Sequence, residues 1–513
     1  MYKILMNTPF GFVLEMSNEH IYRQDSPYEI FIDDKLHSAD TRNVVCIFGL
    51  MPNRNYHIEI KGTGLDFGFT HQTETPGYVI DVTDYGASGN GIKDDTSAIN
   101  AAIYTAPGGS VIRFSKGVYT VSSVLLRSNI DLYLEEGAEI RQNPDRKHLA
   151  VIKGYQKNYD YTEASVNATW EGNPLDCYSS LIHGHNVENV RIYGLGIFNG
   201  SGEESGFWKN PKVKDVAWRP RNFFLSFSRN ITSAGITSRN SSAWNIHPFY
   251  SDGLRFYGLH IESDTNSPNT DGLNPESCDD VEIVGCRFCV GDDCIAIKSG
   301  KVHMARYHYK PSENITIRNC LMEEGHGGVV IGSEISCGAK NIKIEKCLLQ
   351  RTDRGLRIKT RRGRGNTSVV EGIALENIRM EGVINCFTVN MFYNCDPDGR
   401  SHYVSCPNPL PVGEDTPVVR SITISGVAAE DISGAAIFLS GLPESPIIGV
   451  TFKDSSFSFR DGRETACPEM MSNEVLIPNL GVYMNNVEDT NFCRNRFEGT
   501  HVTIIDGKEE HNV

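Results

Sequence analysis

The sequence lacks the features of three large classes of protein. It has no run of about 18 apolar residues, the length that a membrane-spanning helix requires. Its N-terminal stretch has no sustained apolar core followed by small residues, so it does not resemble a secretory signal peptide. Positive charge is scarce, since 49 Lys and Arg oppose 64 Asp and Glu for a net charge of −15. We therefore expect no membrane and no nucleic-acid partner, and a cytoplasmic protein unless a leader is missing from this sequence.

Glycine and cysteine are plentiful instead. The 48 Gly and 22 Pro among 513 residues indicate many turns and argue against an all-helical fold. Among the 14 cysteines, Cys286, Cys320 and Cys347 each follow a short β-rich triplet in the same local setting. Such recurrence is typical of a stacked column of small side chains and not of paired disulfides, so we expect reduced thiols.

Residues 1–76 differ from the rest of the chain. Alternating apolar and polar residues at 28–32 and 56–60 predict β-strands. The spacing Leu50-x-Pro52-x-x-x-Tyr56 resembles the tyrosine corner of fibronectin type III domains, in which the Tyr hydroxyl ties a strand to the preceding loop. A plain β-hairpin is the simpler alternative. We predict a small fibronectin type III-like β-sandwich over residues 1–76.

Residues 77–513 carry a repeat. A polar residue, an alternating apolar triplet and a turn recur mostly about 30 residues apart, without room for a helix between copies; examples are residues 189–192, 230–232, 280–283, 314–317, 341–344, 421–424 and 449–452. Short strands at this period predict the stacked coils of a parallel β-helix, and therefore an all-β protein. The Leu and Asn ladder of leucine-rich repeats is missing.

Charged residues recur at the same period. Asp271 is followed about one coil later by the pair Asp292 and Asp293, then by His326 between two glycines, and then by Arg357 and Lys359. If coils stack about 4.7–4.9 Å apart, these side chains form a column of carboxylates, an imidazole and two cations. Arg357 and Lys359 face the same side of a strand because they are two residues apart. Asp292 and Asp293 should face opposite sides, unless they lie at a strand end or a bend.

Carboxylates arranged in this way suit the hydrolysis of a glycosidic bond. One must be protonated to donate to the leaving oxygen, and another must be ionised to activate water. Adjacent cations suit a sugar that is itself a carboxylate. Taken singly, each motif is an ordinary turn or a solvated strand, and three acidic positions could also bind calcium. Their joint order and spacing favour the catalytic interpretation.

These residues also carry a family resemblance. Asn269-Thr-Asp271, Gly291-Asp-Asp293, Gly325-His-Gly327 and Arg357-Ile-Lys359 resemble the four signature motifs of polygalacturonases, which hydrolyse pectin. Residues 84–87 with 94–96 resemble the entrance of the pectin-lyase-like right-handed parallel β-helix, and residues 244–248, which include His247, resemble a strand of the same family.

The resemblance implies roles for individual residues. Asp292 would be the general acid of an inverting mechanism, Asp271 and Asp293 would activate water, and His326 would tune the acid. Inversion would place the carboxylates about 6.5–9.5 Å apart. The residues implied to bind an acidic oligosaccharide such as galacturonan are Asn269, His247, Arg357 and Lys359. No cofactor and no metal is implied.

Other features resemble bacterial exo-acting members of the family, among them the leading fibronectin-like domain. The non-repeat stretches 141–180, 201–222 and 393–418 could close one end of the cleft, or could be surface loops. Arg219 or Arg221 in the second stretch could hold a terminal carboxylate. Four alternatives stay open: endo action, hydrolysis of rhamnogalacturonan or xylogalacturonan, a calcium-dependent pectate lyase, and a non-catalytic β-helix used for adhesion or carbohydrate binding. The sequence does not assign an oligomeric state.

Overall fold

The computed structural model describes residues 2–62, 64, 66–157, 164–460, 470–472, 479–499 and 501–510. The first part is the predicted β-sandwich, with two antiparallel sheets that share one apolar core. One sheet contains Tyr2–Thr8, Gly11–Met16 and Val44–Phe48, and the other contains Arg23–Ile32, Lys35–Arg42, Asn55–Lys61 and Phe67–Gln72.

The tyrosine corner is present. Tyr56, Ile58 and Ile60 alternate inward along their strand and join the core, as the sequence pattern predicts. The backbone N–H of Met51 donates to the Tyr56 hydroxyl at 2.8 Å and so ties the strand to the loop before it.

The rest of the described chain is a right-handed parallel β-helix in which each regular coil contributes a strand to each of three faces. The first face contains Val79–Asp81, Ser110–Phe114, Ile130–Leu134, Glu188–Gly194, Arg229–Ala234, Asp252–Tyr257, Asp279–Val284, Ser312–Arg318, Ala339–Glu345, Val369–Glu381, Val418–Ile432, Ile447–Lys453 and Val487–Cys493. The second contains Asn90–Asp94, Gly117–Val121, Ala138–Gln142, Ile197–Asn199, Thr237–Arg239, His260–Glu262, Arg287–Cys289, Leu321–Glu323, Leu348–Gln350, Ser456–Phe459 and Arg496–Glu498, with the ends of the two longest first-face strands.

The third face carries the functional residues discussed below. It contains Val124–Leu125, Ile182–His185, Phe223–Ser226, Ile246–Phe249, Asp293–Ile297, Gly327–Ile331, Arg354–Lys359, Asn385–Asn390, Ala435–Ser440, Leu480–Asn485 and Val502–Ile505, and Lys508–Glu510 pairs antiparallel with its last strand. Two small antiparallel pairs lie outside the coils: Val151–Ile152 with Cys177–Tyr178, and Tyr155–Lys157 with Ala164–Val166.

The polar residue that opens each repeat makes the turn into the first face. Asn189, Asn230, Asn314 and Asn341 all have left-handed φ values of 52–56°, which Asn tolerates better than most residues. Their side chains also form a ladder, because the Asn230 amide donates to the Asn189 oxygen, and that of Asn341 to Asn314, at 2.6 Å each. This double role explains why the pattern recurs.

Inside the coils lies one continuous apolar core. Cys286, Cys320 and Cys347 are buried in it, and each thiol donates to a carbonyl of the first-face strand one coil earlier, which confirms the predicted column. All thirteen cysteines in the described ranges are free thiols.

Helices are few and short. Thr96–Thr105 covers the N-terminal end of the core with Ile99, Ala102 and Ile103, and Val302–Tyr307 and His402–Ser405 lie in connections. Two 3₁₀ turns span Val82–Tyr85 and Arg146–His148. Among the helices of the described part of the chain, none is long and apolar enough to cross a membrane.

The sandwich packs on the outer surface of the first face. Phe48 and Val44 contact a stripe that includes Tyr193 and Val284. Polar contacts surround this stripe, and among them Glu15 accepts hydrogen bonds from the Arg318 guanidinium through both carboxylate oxygens at 2.9 Å. The sandwich therefore supports a face other than the one that carries the site.

Candidate active site

Strand pairing brings the motif residues onto consecutive rungs of the third face. Leu273 forms a parallel bridge with Ile295, Ile295 pairs with Val329, and Val329 pairs with Leu356. The motif residues flank this apolar column in the predicted order: Asp271, then Asp292 and Asp293, then His326, then Arg357 and Lys359. The predicted column of charged side chains is thus present.

Asp292 and Asp293 lie at a strand end, which explains how two adjacent residues can face the same side. Asp292 lies in a bend, and Asp293 is the first residue of the strand Asp293–Ile297. The Asp293 N–H donates to Asp292 Oδ1 at 3.0 Å, and the His326 N–H donates to the Asp292 carbonyl at 3.1 Å. The bend releases Asp292 from strand alternation, so both carboxylates reach the same cavity.

The three carboxylates are close together. Asp271, Asp292 and Asp293 each place one oxygen within 4.8 Å of the other two. This oxygen separation is shorter than the 6.5–9.5 Å expected between carboxyl groups for inversion. Strand spacing brings Asp271 close to the next coil, and Asp292 and Asp293 are close because they are consecutive residues.

Each carboxylate has its own partners. Asp271 accepts from the Asn274 amide at 2.8 Å, and Asp293 accepts from Lys359 Nζ at 2.8 Å. Asp292 lies 3.5 Å from His326 Nδ1. The different partners give the carboxylates different affinities for protons.

Burial and the negative charge of Asp292 raise the pKa of Asp271 to about 8. Burial also disfavours the charge on Asp292, but the contact with His326 and the positive charges of Lys359 and Lys298 together outweigh burial and lower the Asp292 pKa to about 2. The same contact raises the pKa of His326 to about 9. In the free enzyme these neighbours favour the protonated form of Asp271 and the ionised form of Asp292, so a proton shared by the two carboxylates favours Asp271.

Two cations project from the next coil into the same space. Lys359 is buried and paired with Asp293. Arg357 lies with its guanidinium carbon 5.5 Å from the centre of the Tyr393 ring. These side chains confirm the predicted strand alternation and face the cavity side by side, as capture of a carboxylate requires.

The residues line a cavity of about 420 Å³. The non-repeat stretches contribute to its wall, with Glu171 from the first, Lys212 from the second and residues 393–396 from the third. Their predicted position beside the cleft is correct, and the plain surface-loop alternative is wrong for these residues. The wall residues that the structure describes include none from the sandwich.

Two residues predicted to bind substrate lie outside this cavity. His247 is fully buried, and its Nε2 lies 2.8 Å from Glu276 Oε2, so it cannot contact a bound sugar. Arg219 is only 4% exposed, and its guanidinium donates to Asn269 Oδ1 at 2.6 Å and to the carbonyls of Ser242 and Pro268. Direct binding of substrate by His247 is therefore wrong, and direct binding by Arg219, which lies outside this cavity, stays a prediction.

Asn269 itself lines the cavity, and its amide lies 3.5 Å from Asp292 Oδ2. Arg219 thus supports a residue that contacts a catalytic carboxylate. Arg221, the alternative to Arg219, is buried with its guanidinium 5.4 Å from the centre of the Trp170 ring.

The sequence did not assign several further cavity residues to the site, among them Lys298, Glu334 and Trp244. Lys298 and Glu334 face each other at 3.0 Å, and the Lys298 ammonium lies 4.6 Å from the centre of the Trp244 ring. A signal for Lys298 exists, because Ala296 and Lys298 alternate with the buried Ile295 and Ile297 and therefore face outward. No comparable periodicity marks Glu334, which lies beyond the end of its strand.

The carboxylate spacing alone would also fit a divalent cation. Lys359 and His326 already lie against two of the three carboxylates, and Lys298 lies 3.8 Å from the third. The protein's own cations thus supply the charge balance that a metal ion would otherwise provide.

The chain is similar to known glycoside hydrolases. Residues 161–474 match the model of the glycosyl hydrolases family 28. A probable polygalacturonase from Vitis vinifera is 30% identical over 380 residues, which cover 72% of each chain. An exopolygalacturonase from Zea mays is 24% identical over 76% of this chain and 86% of its own. The solved structure of a family 28 exopolygalacturonase from Yersinia enterocolitica is similar in fold, with a TM-score of 0.67 at 18% identity over 99% of both chains.

Proposed function

Since the chain belongs to glycosyl hydrolase family 28, we propose that it hydrolyses the α-1,4 bonds between galacturonic acid residues and acts from a chain end. The observation that carries the proposal is the meeting of three carboxylates with Arg357 and Lys359 in one cavity. Carboxylates supply acid and base for glycoside hydrolysis, and the two cations supply selectivity for an acidic sugar.

The shared proton is the one that the general acid donates. In the free enzyme His326 holds Asp292 ionised, so Asp292 must gain a proton before it can act. A galacturonate carboxylate bound at Arg357 and Lys359 brings negative charge beside Asp292 and favours its protonation. Asp271 is then ionised and can activate water together with Asp293. The number of protons on the cluster stays the same, and only their location changes.

Substrate selectivity follows from the cations. Lys359 pairs with Asp293, and the planar guanidinium of Arg357 presents two parallel N–H groups, the geometry that suits a carboxylate. A neutral hexose has no carboxylate to bind at Arg357 and Lys359. A methyl-esterified residue would lose the charge as well, and we expect it to bind more weakly at this position.

Inversion is the expected stereochemical course for this family. The carboxylate separation does not distinguish inversion from retention here, because three carboxylates share the cavity and their closest oxygens are within 4.8 Å. The anomer that the enzyme releases first distinguishes inversion from retention. Proton NMR during the first turnovers should show β-galacturonate from the α-linked substrate, and initial α-product would contradict inversion.

Exo action is supported by the wall of the cavity. Residues from all three non-repeat stretches meet around the carboxylates, which leaves less room for a polymer that passes straight through. The Zea mays relative is named an exopolygalacturonase, which agrees with this arrangement.

The decisive experiment is product analysis over time on oligogalacturonates of defined length, with intact rhamnogalacturonan and xylogalacturonan in parallel. Early release of only mono- or digalacturonate supports exo action, and an early spread of sizes contradicts it. Faster cleavage of a branched backbone would favour the related hydrolases. An unsaturated, UV-absorbing product that disappears with a chelator would instead indicate a lyase. The variant Asp292→Asn, expected to be inactive, controls for contaminating activities.

A further inference from the structure

Lys298 and Glu334 lie behind the catalytic carboxylates, and neither takes part in the proposed proton transfers. Lys298 ends the outward-facing row of its strand, and Glu334 reaches it from the connection after the strand Gly327–Ile331. Both side chains are at least nine-tenths buried, yet both line the cavity. Charged groups are rarely buried unless their charge is used or balanced.

The geometry connects this pair to one carboxylate. Lys298 Nζ lies 3.0 Å from Glu334 Oε2 and 3.8 Å from Asp271 Oδ2. The Trp244 ring covers the ammonium group at 4.6 Å and limits its movement. The Lys298 ammonium group is thus shared between Glu334, which takes no part in the proposed chemistry, and Asp271, which does.

On the basis of the proposed hydrolysis, we propose that Lys298 and Glu334 form a charge clamp that moves the shared proton from Asp271 to Asp292. The ammonium group favours an ionised Asp271. Glu334 holds the ammonium group in place, and its negative charge weakens the attraction between Lys298 and Asp271. Lys298 and Glu334 are positioning residues, because they act through Asp271.

Other charged side chains also face Asp271 and Lys298. Asp271 is also faced by Asp292 and Asp293 from the next rung, and the Arg219 guanidinium adds a more distant positive charge. Asp292, Asp293 and Arg219 are unchanged in every variant of Lys298 and Glu334, so their effect on Asp271 is the same in each.

Lys298 is faced in addition by Glu276, which lies on the preceding rung and is paired with His247. Arg221 adds a positive charge near that pair, and Asp293 also faces Lys298. Glu334 is faced by Lys301 and Arg364 as well as by Lys298. Burial disfavours the charge on Lys298, but Glu334 and Asp271 outweigh burial and raise the Lys298 pKa, so its ammonium stays charged throughout the active range.

The clamp predicts opposite pH shifts for its two members. Removing the ammonium in Lys298→Met lets the carboxylates hold their proton more tightly, so the alkaline limb of the kcat/KM profile should move up by about one pH unit. Removing the negative charge in Glu334→Gln leaves the full attraction of Lys298 to Asp271, so the same limb should move down. In Lys298→Met, kcat at the optimum should also fall at least about tenfold, because Asp292 carries the proton less often.

Matched controls come from Lys343 and Glu345, a lysine–glutamate pair at 2.8 Å on the first face. Lys343→Met and Glu345→Gln make the same changes in charge away from the site and should leave the alkaline limb unchanged. The double variant Lys298→Met with Glu334→Gln removes both charges and should place the limb between those of the single variants. Thermal unfolding of each variant shows whether it is folded.

A common direction of shift for the two single variants, or no shift relative to the controls, would overturn the clamp. If Lys298→Met does not fold, Glu334→Gln decides alone, since a merely structural role predicts no downward shift. The activity of the wild-type enzyme distinguishes a failure of the proposed function from a failure of the clamp. No release of galacturonate by the wild type contradicts the proposed function, whereas an active wild type with unshifted variants contradicts only the clamp.

Discussion

His326 Nδ1 lies 3.5 Å from Asp292 Oδ1, and this contact sets the charge of both groups. It raises the pKa of the imidazole from 6.5 to about 9. A raised pKa in the folded state means that the contact stabilises the protein fully below pH 6.5 and that this stabilisation is lost as the pH rises through about 9.

We therefore expect His326→Gln to lower the melting temperature at pH values below 6.5 and to have little effect above about 9. Melting curves of both proteins across this range measure the difference. A difference that is constant with pH would show that His326 acts through packing and not through its charge.

Asp292 should be essential for chemistry and dispensable for binding. Asp292→Asn keeps the shape but has no proton to donate, so kcat should fall about 10²–10⁴-fold. Binding of an oligogalacturonate, measured by calorimetry, should persist because Arg357 and Lys359 are unchanged. Asp280→Asn, which alters a surface partner of Arg255, is the control. Near-normal kcat in Asp292→Asn would assign the acid to Asp271.

The order of site residues could be predicted from the sequence because a β-helix converts chain spacing into position. One coil separates Asp271 from Asp292, and strand alternation fixes the common direction of Arg357 and Lys359. Alternation also marks Lys298, although only the structure shows that its neighbour across the cavity is Glu334.

Burial by distant segments could not be predicted in the same way. His247 faces outward from its coil, like a ligand-binding residue, but Trp244 packs edge-on against its ring 4.8 Å away and Glu276 pairs with it. Arg219 belongs to a connection without periodicity, and its contact with Asn269 spans 50 residues of chain. Local patterns contain no information about such contacts, which depend on where the long connections fold.

Arg219 should therefore affect kcat through Asn269. The guanidinium fixes the Asn269 oxygen at 2.6 Å, and the Asn269 amide reaches Asp292. We expect Arg219→Ala to lower kcat more than about tenfold with a small change in KM, because the alignment of the acid is lost and not the affinity. In a double-mutant cycle, Arg219→Ala should add little to Asn269→Ala. An increase of KM alone would indicate direct binding of a substrate carboxylate by Arg219.

Glu15 should matter for stability and not for catalysis. Its carboxylate binds Arg318 through two hydrogen bonds at the contact between the sandwich and the first face, and the Asn319 amide donates to it as well. Glu15→Ala leaves a mostly buried guanidinium with Glu282 at 3.9 Å as its remaining partner, so unfolding should become easier by roughly 1–3 kcal/mol. Glu59→Ala, which breaks an exposed pair with Lys61, should change the free energy of unfolding much less than Glu15→Ala does. Because the described wall of the cavity includes no sandwich residue, kcat and KM of folded Glu15→Ala should equal those of the wild type. Urea unfolding and steady-state kinetics on the same preparations test both halves, and a loss of kcat without a loss of stability would mean that the sandwich takes part in the reaction.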